Sequence, residues 1–197
     1  MRKKLTLIVV DCQYDFIEGG SLAVEGGRKA IENVCELIAS DRVGRLVFTQ
    51  DWHPSGHCSF TPQGGPWPVH CVRGTHGARI HADLLAVAKE KNVYSEFLHK
   101  GKQADKEEYT AFTFRRQYAD HLAYNVASAT HRKPDVMVFA REEQVVVCGI
   151  AGDVCVLNTL RSLQPLRPRV FLAGVASLDG GQTLAGYMAG QGLKALG

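Results

Sequence analysis

Short apolar runs recur along the 197-residue chain, and several of them are unbroken rather than alternating. Unbroken apolar runs of four to eight residues are typical of strands that are buried on both faces of a sheet. The pattern therefore predicts five strands, at residues 5–10, 45–50, 93–97, 144–150 and 169–175.

Apolar residues at helical spacing occupy several of the intervening segments. We predict helices over residues 27–40, 154–163 and 183–196, the last of which is interrupted by glycines. Strands that alternate with helices form βαβ units, so the expected fold is α/β, a three-layer α/β/α sandwich with a mostly parallel central sheet. The length favours a single domain over residues 1–197.

Two segments do not follow this alternation. Residues 54–77 are rich in Pro, Gly and His, and residues 99–140 are polar at first and then mixed. Loops of this length in a compact domain are usually functional, which makes both segments candidates for binding or catalysis.

Composition and charge narrow the classes of function. A formal net charge of +3 with scattered basic residues does not favour a nucleic-acid partner. No apolar run approaches the ~18 residues of a membrane helix, and the N-terminus has no signal-peptide pattern, so we expect a cytoplasmic protein without membrane contact. In that reducing compartment the six cysteines are expected to be buried, metal-binding or catalytic rather than paired.

Reactive side chains follow four of the five predicted strands. Asp11 comes after the first strand, Asp51 after the second, Lys100 shortly after the third and Cys155 shortly after the fourth. Ligands of open parallel sheets collect at the carboxyl ends of the strands. We therefore expect these four residues to share one site.

The histidine-rich loop predicts a metal site. Asp51 and His53 are two residues apart and would point the same way from an extended segment, and His70 follows in the same loop. Oxygen and nitrogen ligands without a thiolate suit zinc, manganese or iron(II).

Two alternatives for the metal site stay open at this point. His57 could be a fourth ligand. A structural zinc held by Cys58, Cys71 and two histidines is the rival interpretation, although the loop has no CxxC pair.

Cys155 lies where a predicted strand turns into a helix. A helix N-terminus, a nearby lysine and a carboxylate base would together activate its thiol as a nucleophile. Considered alone, Cys155 would more often be a small buried apolar residue, the role that we expect for Cys148.

The order of five motifs resembles the nicotinamidase (pyrazinamidase) branch of the isochorismatase-like cysteine hydrolase superfamily. The resemblance runs from about residue 5 to the C-terminus, and the metal loop separates this branch from metal-free relatives. The motifs are "VVDCQYDF", "TQDWHPSGHCSF", "WPVHCV", "HKG…EEYTAF" and "GIAGDVCV".

This resemblance implies a role for each matching residue. Asp11, Lys100 and Cys155 match the catalytic triad, and the amides of Ala151 and Cys155 match the oxyanion hole. The metal ligands would be Asp51, His53 and His70, and the substrate pocket would be lined by Phe16, Trp67 and Tyr109. The resemblance also implies a cis peptide bond between Ile150 and Ala151.

The implied activity is hydrolysis of nicotinamide, and also of pyrazinamide, to the acid and ammonia through a cysteine thioester, in NAD salvage. One divalent metal ion is implied, zinc first and manganese or iron as alternatives, and a homo-oligomer is compatible with the family. Other amide or ureido hydrolases of the superfamily, an isochorismatase-type hydrolase and a non-enzymatic zinc-binding module are the alternatives. The chain departs from the family before the fourth strand, where "YNVASATHRKPDVMVFA" replaces a compact helix.

Overall fold

Five parallel strands form the central sheet of the protein. The structure is a computed structural model, and it describes residues 4–126 and 135–197. The sheet has the order β3-β2-β1-β7-β8. Its strands are β1 (Leu5–Val10), β2 (Val43–Asp51), β3 (Tyr94–Lys100), β7 (Val145–Ile150) and β8 (Arg169–Ala176). All five predicted strands are confirmed, and β3 continues three residues further, to Lys100 itself.

Two helices cover one face of this sheet. They are α1 (Gly27–Ala39), which matches its prediction closely, and α2 (Ala82–Glu90), which the sequence pattern did not reveal. Ala30, Ile31 and Val34 of α1 pack with Leu7 and Val9 of β1 in one core cluster. Side chains alternate between the faces of a strand, so the neighbouring Ile8 and Val10 enter the other core.

The second face is covered by two further helices and by a second sheet. A π-helical turn (Gly152–Val156) leads into α3 (Leu157–Ser162), and α4 (Gln182–Gln191) lies near the C-terminus. The expected α4 continued to residue 196, but it ends before Gly192, whose φ of 62° is left-handed. The expected three-layer α/β/α sandwich is thus confirmed, with a sheet added to its third layer.

The three strands of the added sheet lie within residues 99–140, the second of the two segments that do not follow the predicted alternation. Its antiparallel strands are β4 (Phe112–Gln117), β5 (His121–Val126) and β6 (Asp135–Ala140). Residues 127–134, which include the centre of the irregular stretch noted above, lie outside the described residues. Phe112, Tyr124 and Phe139 project from the three strands into the core that they share with Ile8 and Val147.

The strand order brings four strand ends to one edge. β1 lies between β2 and β7. Strands β2 and β3 are added on one side of β1, and strands β7 and β8 are added on its other side. Asp51 and Lys100 are direct partners in the β2–β3 register, and Val10, just before Asp11, pairs with Thr49 and Gly149. This edge is the switch point at which α/β proteins bind ligands.

The packing of the added sheet can be tested at Phe139, whose side chain is fully buried. Phe139→Ala should lower the free energy of unfolding by about 3–5 kcal/mol, because it opens a cavity between the two sheets. Phe114 lies in β4 and is 44% exposed, so Phe114→Ala is the matched control. It should lower the free energy of unfolding by about 1 kcal/mol or less. Urea denaturation measures both, and equal small losses would show that the second sheet does not pack on the first.

Candidate active site

Lys100 occupies the centre of a buried polar cluster. Its ammonium lies 2.8 Å from Oδ2 of Asp11 and 3.5 Å from Sγ of Cys155, and it also pairs with Oδ1 of Asp51. Asp11, Asp51 and Lys100 are each at most 4% exposed, and Cys155 is 6% exposed. The structure therefore brings together the four residues that follow the predicted strands.

Burial and charge shift the pKa values of this cluster in different directions. Burial raises the pKa of Asp11, which Lys100 only partly offsets. Burial acts on Asp51 in the same sense, but Lys100 and His53 outweigh it and hold the pKa of Asp51 well below its ordinary value. Burial alone would lower the pKa of Lys100, yet the two carboxylates keep that pKa well above normal. These shifts favour the charged forms of Lys100 and Asp51, whereas they favour the protonated form of Asp11.

The pKa of the Cys155 thiol is higher than the sequence pattern predicts. Burial raises its pKa well above the ordinary value, and the attraction of Lys100 only partly opposes this. A lysine and a helix N-terminus near Cys155 predict a lowered pKa for this thiol. A thiol with a raised pKa is protonated at neutral pH and would need a nearby base to become a nucleophile.

Thr49 orients the carboxyl group of Asp11. The Thr49 hydroxyl donates a 2.6 Å hydrogen bond to Asp11 Oδ1, and the Asp11 amide donates to the Thr49 carbonyl at 3.1 Å. Oδ2 is thereby left to face Lys100. Sequence reasoning missed Thr49, because a threonine within an apolar strand gives no signal of its own.

A second group of side chains adjoins the first and shares Asp51 with it. The Nε2 atoms of His53 and His70 lie 3.6 and 3.9 Å from Asp51 Oδ2. One ligand atom of each of the three residues lies within 4.8 Å of the other two. The predicted trio is therefore assembled as a possible metal-binding group.

Backbone carbonyls orient both imidazoles and set the tautomer of their neutral forms. His53 Nδ1 lies 2.9 Å from the Gly101 carbonyl, and His70 Nδ1 lies 2.7 Å from that of Pro68. Each Nδ1 must donate to a carbonyl, so the neutral form of each imidazole carries its lone pair on Nε2, the atom that faces Asp51. Two neutral imidazoles and a carboxylate fit a divalent cation of the zinc, manganese or iron class.

His57 and the loop cysteines do not join this group. His57 is stacked on His53, but its Nδ1 contacts Ser59 Oγ at 2.7 Å and its Nε2 contacts the Lys106 carbonyl at 3.0 Å. Both ring nitrogens are therefore engaged elsewhere. Cys58 and Cys71 are absent from the metal-competent groups found among residues 4–126 and 135–197, which disfavours the structural-zinc alternative.

The Gln13 side chain connects the turn after β1 with the end of β2 and with Ala78. Its side-chain amide donates to the carbonyls of Asp51 and Ala78 at 2.9 and 2.8 Å, and its oxygen accepts from the Asp51 amide at 2.8 Å. These bonds hold the backbone of Asp51 against the turn after β1. Its place two residues after Asp11, in "DCQ", was the only sequence signal for this role.

A cavity joins the two groups. Its walls include the three predicted aromatic residues, Phe16, Trp67 and Tyr109, and its lining also contains Cys155, Ala151 and the metal trio. The Trp67 indole donates to the Tyr109 hydroxyl at 3.3 Å, which links the two loops that carry them. Glu107 also lines the cavity and was not predicted.

The turn before Cys155 has the backbone that the resemblance implied. The peptide bond between Ile150 and Ala151 is cis, and Ala151 precedes the π-helical turn that contains Cys155. A buried thiol, a carboxyl group, an ammonium and a possible metal-binding group around one aromatic pocket are the combination expected of a cysteine hydrolase of the α/β class.

Comparisons with known proteins agree with this class. Residues 6–166 match the isochorismatase domain model, so the chain belongs to the isochorismatase family. The nicotinamidase of Saccharomyces cerevisiae is 31% identical over 191 residues, covering 82% of each chain.

Solved structures show the same fold. A protein of L. infantum in complex with nicotinate aligns with a TM-score of 0.75 and 27% identity, covering 98% of this chain and 92% of that one. The pyrazinamidase of Pyrococcus horikoshii in complex with zinc aligns with a TM-score of 0.72 and 27% identity, covering 98% and 99%.

Metal binding by Asp51, His53 and His70, called the metal group below, can be tested through Gly101, whose carbonyl contacts His53 Nδ1. A Cβ at this position would lie 2.3 Å from His53 Cε1, and its φ is 62°. Gly101→Ala should therefore displace the imidazole and weaken zinc binding about 10–100-fold, measured by competition with a chromophoric chelator.

Gly64→Ala is the matched control. Gly64 also has a left-handed backbone, with φ of 84°, but a Cβ there meets nothing within 4 Å. Both variants carry the same kind of backbone strain, so only Gly101→Ala should change the zinc affinity. An equal loss in both would contradict the assignment of His53 as a ligand.

Proposed function

We propose that this protein hydrolyses nicotinamide to nicotinate and ammonia, and that it also accepts pyrazinamide. The observation that carries the proposal is the single aromatic cavity onto which both the Cys155 thiol and the Asp51–His53–His70 group open. A pyridine carboxamide has a ring nitrogen for the metal and an amide carbon for the thiol. The relatives named nicotinamidase and the neighbours solved with nicotinate or zinc support the same substrate class.

We assign the chemistry of acylation to Asp11, Lys100 and Cys155. Asp11 takes the proton of the Cys155 thiol, and the thiolate attacks the carboxamide carbon. Lys100 stabilises the negative charge that this proton transfer moves from Asp11 to the sulfur of Cys155. The Ala151 and Cys155 amides hold the oxyanion, and Asp11 returns the proton to the amide nitrogen as the C–N bond breaks and ammonia leaves.

Deacylation uses the same base. Asp11 removes a proton from water as the oxygen of that water attacks the thioester carbon. The C–S bond then breaks, Asp11 returns the proton to the Cys155 sulfur, and the nicotinic acid that forms loses its own proton to solvent and leaves as nicotinate. The raised pKa of Asp11 suits it to both the accepting and the donating step.

Asp51, His53 and His70 would hold the metal ion, for which we propose zinc. When bound, the ion supplies a Lewis acid that orients the ring nitrogen. Phe16 and Trp67 bound the ring, and the Trp67–Tyr109 hydrogen bond keeps that wall in place. His57 is not included, since both of its ring nitrogens have other partners.

We further expect the enzyme to act in the cytoplasm, in NAD salvage, as one domain of 197 residues. No helix in the described part of the chain is long and apolar enough to cross a membrane. A homo-oligomer and the absence of a nucleic-acid partner stay predictions from the family and from the charge.

Replacement of the nucleophile tests the proposal directly. Cys155→Ala should abolish ammonia release from nicotinamide while the ligand still binds, because the ring contacts remain. Cys148→Ala is the matched control, since Cys148 is equally buried but lies within β7. Ammonia production by Cys155→Ala, or a complete loss of turnover in Cys148→Ala alone, would contradict the assignment.

Removal of the Thr49 hydroxyl tests the orientation of the base. Thr49→Val keeps the shape but removes the hydrogen bond to Asp11, a bond to a charged group worth about 1.5–3 kcal/mol. We expect kcat for nicotinamide to fall about 10–100-fold with little change in KM, since Thr49 does not line the cavity. Thr49→Ser should restore most of kcat, and a serine variant as slow as the valine variant would exclude this role.

A further inference from the structure

The segment between β8 and α4 closes one side of the substrate cavity. Leu178 lines this cavity and is 46% exposed. On its other side the same leucine lines a larger groove between β8 and α4, whose walls include Leu172, Leu184 and Met188. Within the described part of the chain, Leu178 alone lines both spaces.

The position of Leu178 is set by the turn that carries Cys155. The Leu178 amide donates to Asp153 Oδ1 at 3.0 Å, and Asp153 lies two residues before Cys155. The segments also touch at Gly152, where a Cβ would lie 2.0 Å from Ser177 Oγ and 2.7 Å from Val175 Cγ1. The backbone of this wall therefore cannot move away without disturbing the nucleophile turn.

The lining of the cavity is polar on one side and apolar on the other. Asp51, His53 and His70 form the polar side, whereas Leu22, Val24, Val154 and Leu178 contribute an apolar rim. The groove beyond Leu178 is wide and is bordered by small residues, among them Ala176, Gly180, Gly181 and Ala185. A shorter side chain at position 178 would join the cavity to this groove, whose lining is mostly apolar or small and includes one charged residue, Glu25.

We propose that Leu178 is a specificity-determining residue, which limits the substrate to unsubstituted pyridine and pyrazine carboxamides by separating the cavity from the groove. This inference rests on the proposed function and names the feature that sets its substrate range. Ring-substituted pyridine carboxamides are the class that the groove would admit once Leu178 is shortened.

The size of the expected effect follows from the chemistry of apolar pockets. One methyl or methylene group in such a pocket changes kcat/KM by about 10–200-fold. The wall formed by Leu178 should therefore be visible with a single added methyl group, and nicotinamides methylated at C2, C4, C5 or C6 are suitable probes.

The test compares Leu178→Ala with Leu172→Ala in the metal-loaded enzyme. Leu172 is 48% exposed and lines the groove but not the cavity, so it is a matched control. In Leu178→Ala, kcat/KM for at least one methylated isomer relative to nicotinamide should rise about tenfold or more. Leu172→Ala should leave all four ratios unchanged.

Binding of nicotinamide and its methylated isomers is also measured with Leu178→Ala and Leu172→Ala each combined with Cys155→Ala. These measurements separate this inference from the proposed function. If the native enzyme releases no ammonia from nicotinamide, the proposed function fails, and the calorimetric Kd ratios then decide the role of Leu178. A relative gain of about tenfold in the affinity of one methylated isomer supports the inference. Unchanged ratios for all four isomers, an equal gain in Leu172→Ala, or no binding of any pyridine carboxamide would overturn it.

Discussion

The buried ammonium of Lys100 is the interaction on which the rest of the site depends. An isolated charge of this kind would cost several kcal/mol to remove from water, and the carboxylates of Asp11 and Asp51 offset that cost. The three residues stand at the ends of three adjacent strands, β3, β1 and β2. The observed register pairs Asp51 directly with Lys100, and a shift of β2 against β3 would separate these two buried charges. The same network therefore helps to specify the sheet and to organise the chemistry.

Asp51 connects the two halves of the site. One of its oxygens pairs with Lys100 and the other faces the Nε2 atoms of His53 and His70. The neighbouring Asp11 has the opposite electrostatic outcome, since burial raises its pKa while the pKa of Asp51 is held low. Two carboxyl groups around one ammonium thus have pKa values shifted in opposite directions, which suits Asp51 to the proposed metal site and Asp11 to the proposed proton transfer.

Much of the fold could be predicted because its strands are buried on both faces. The apolar runs of β1 and β7 identify them from sequence alone. The antiparallel sheet was not predicted, because β4 has one buried residue, Phe112, and a bulge between Phe114 and Arg116 interrupts its alternation. Helix α2 was missed for a related reason, since it is short and buries only Leu84 and Ala88.

The sequence by itself determined which reactive residue types follow which strands, and the motif order determined the family. Only the tertiary structure decided which atoms meet: that Thr49 holds Asp11, that Gln13 holds Asp51, and that His57 turns away from the metal group. It also placed Leu178, from the far end of the chain, at the mouth of the cavity. The physical reason is that sequence patterns report the local periodicity of strands and helices, whereas these contacts depend on the pairing and closure of segments distant in the chain.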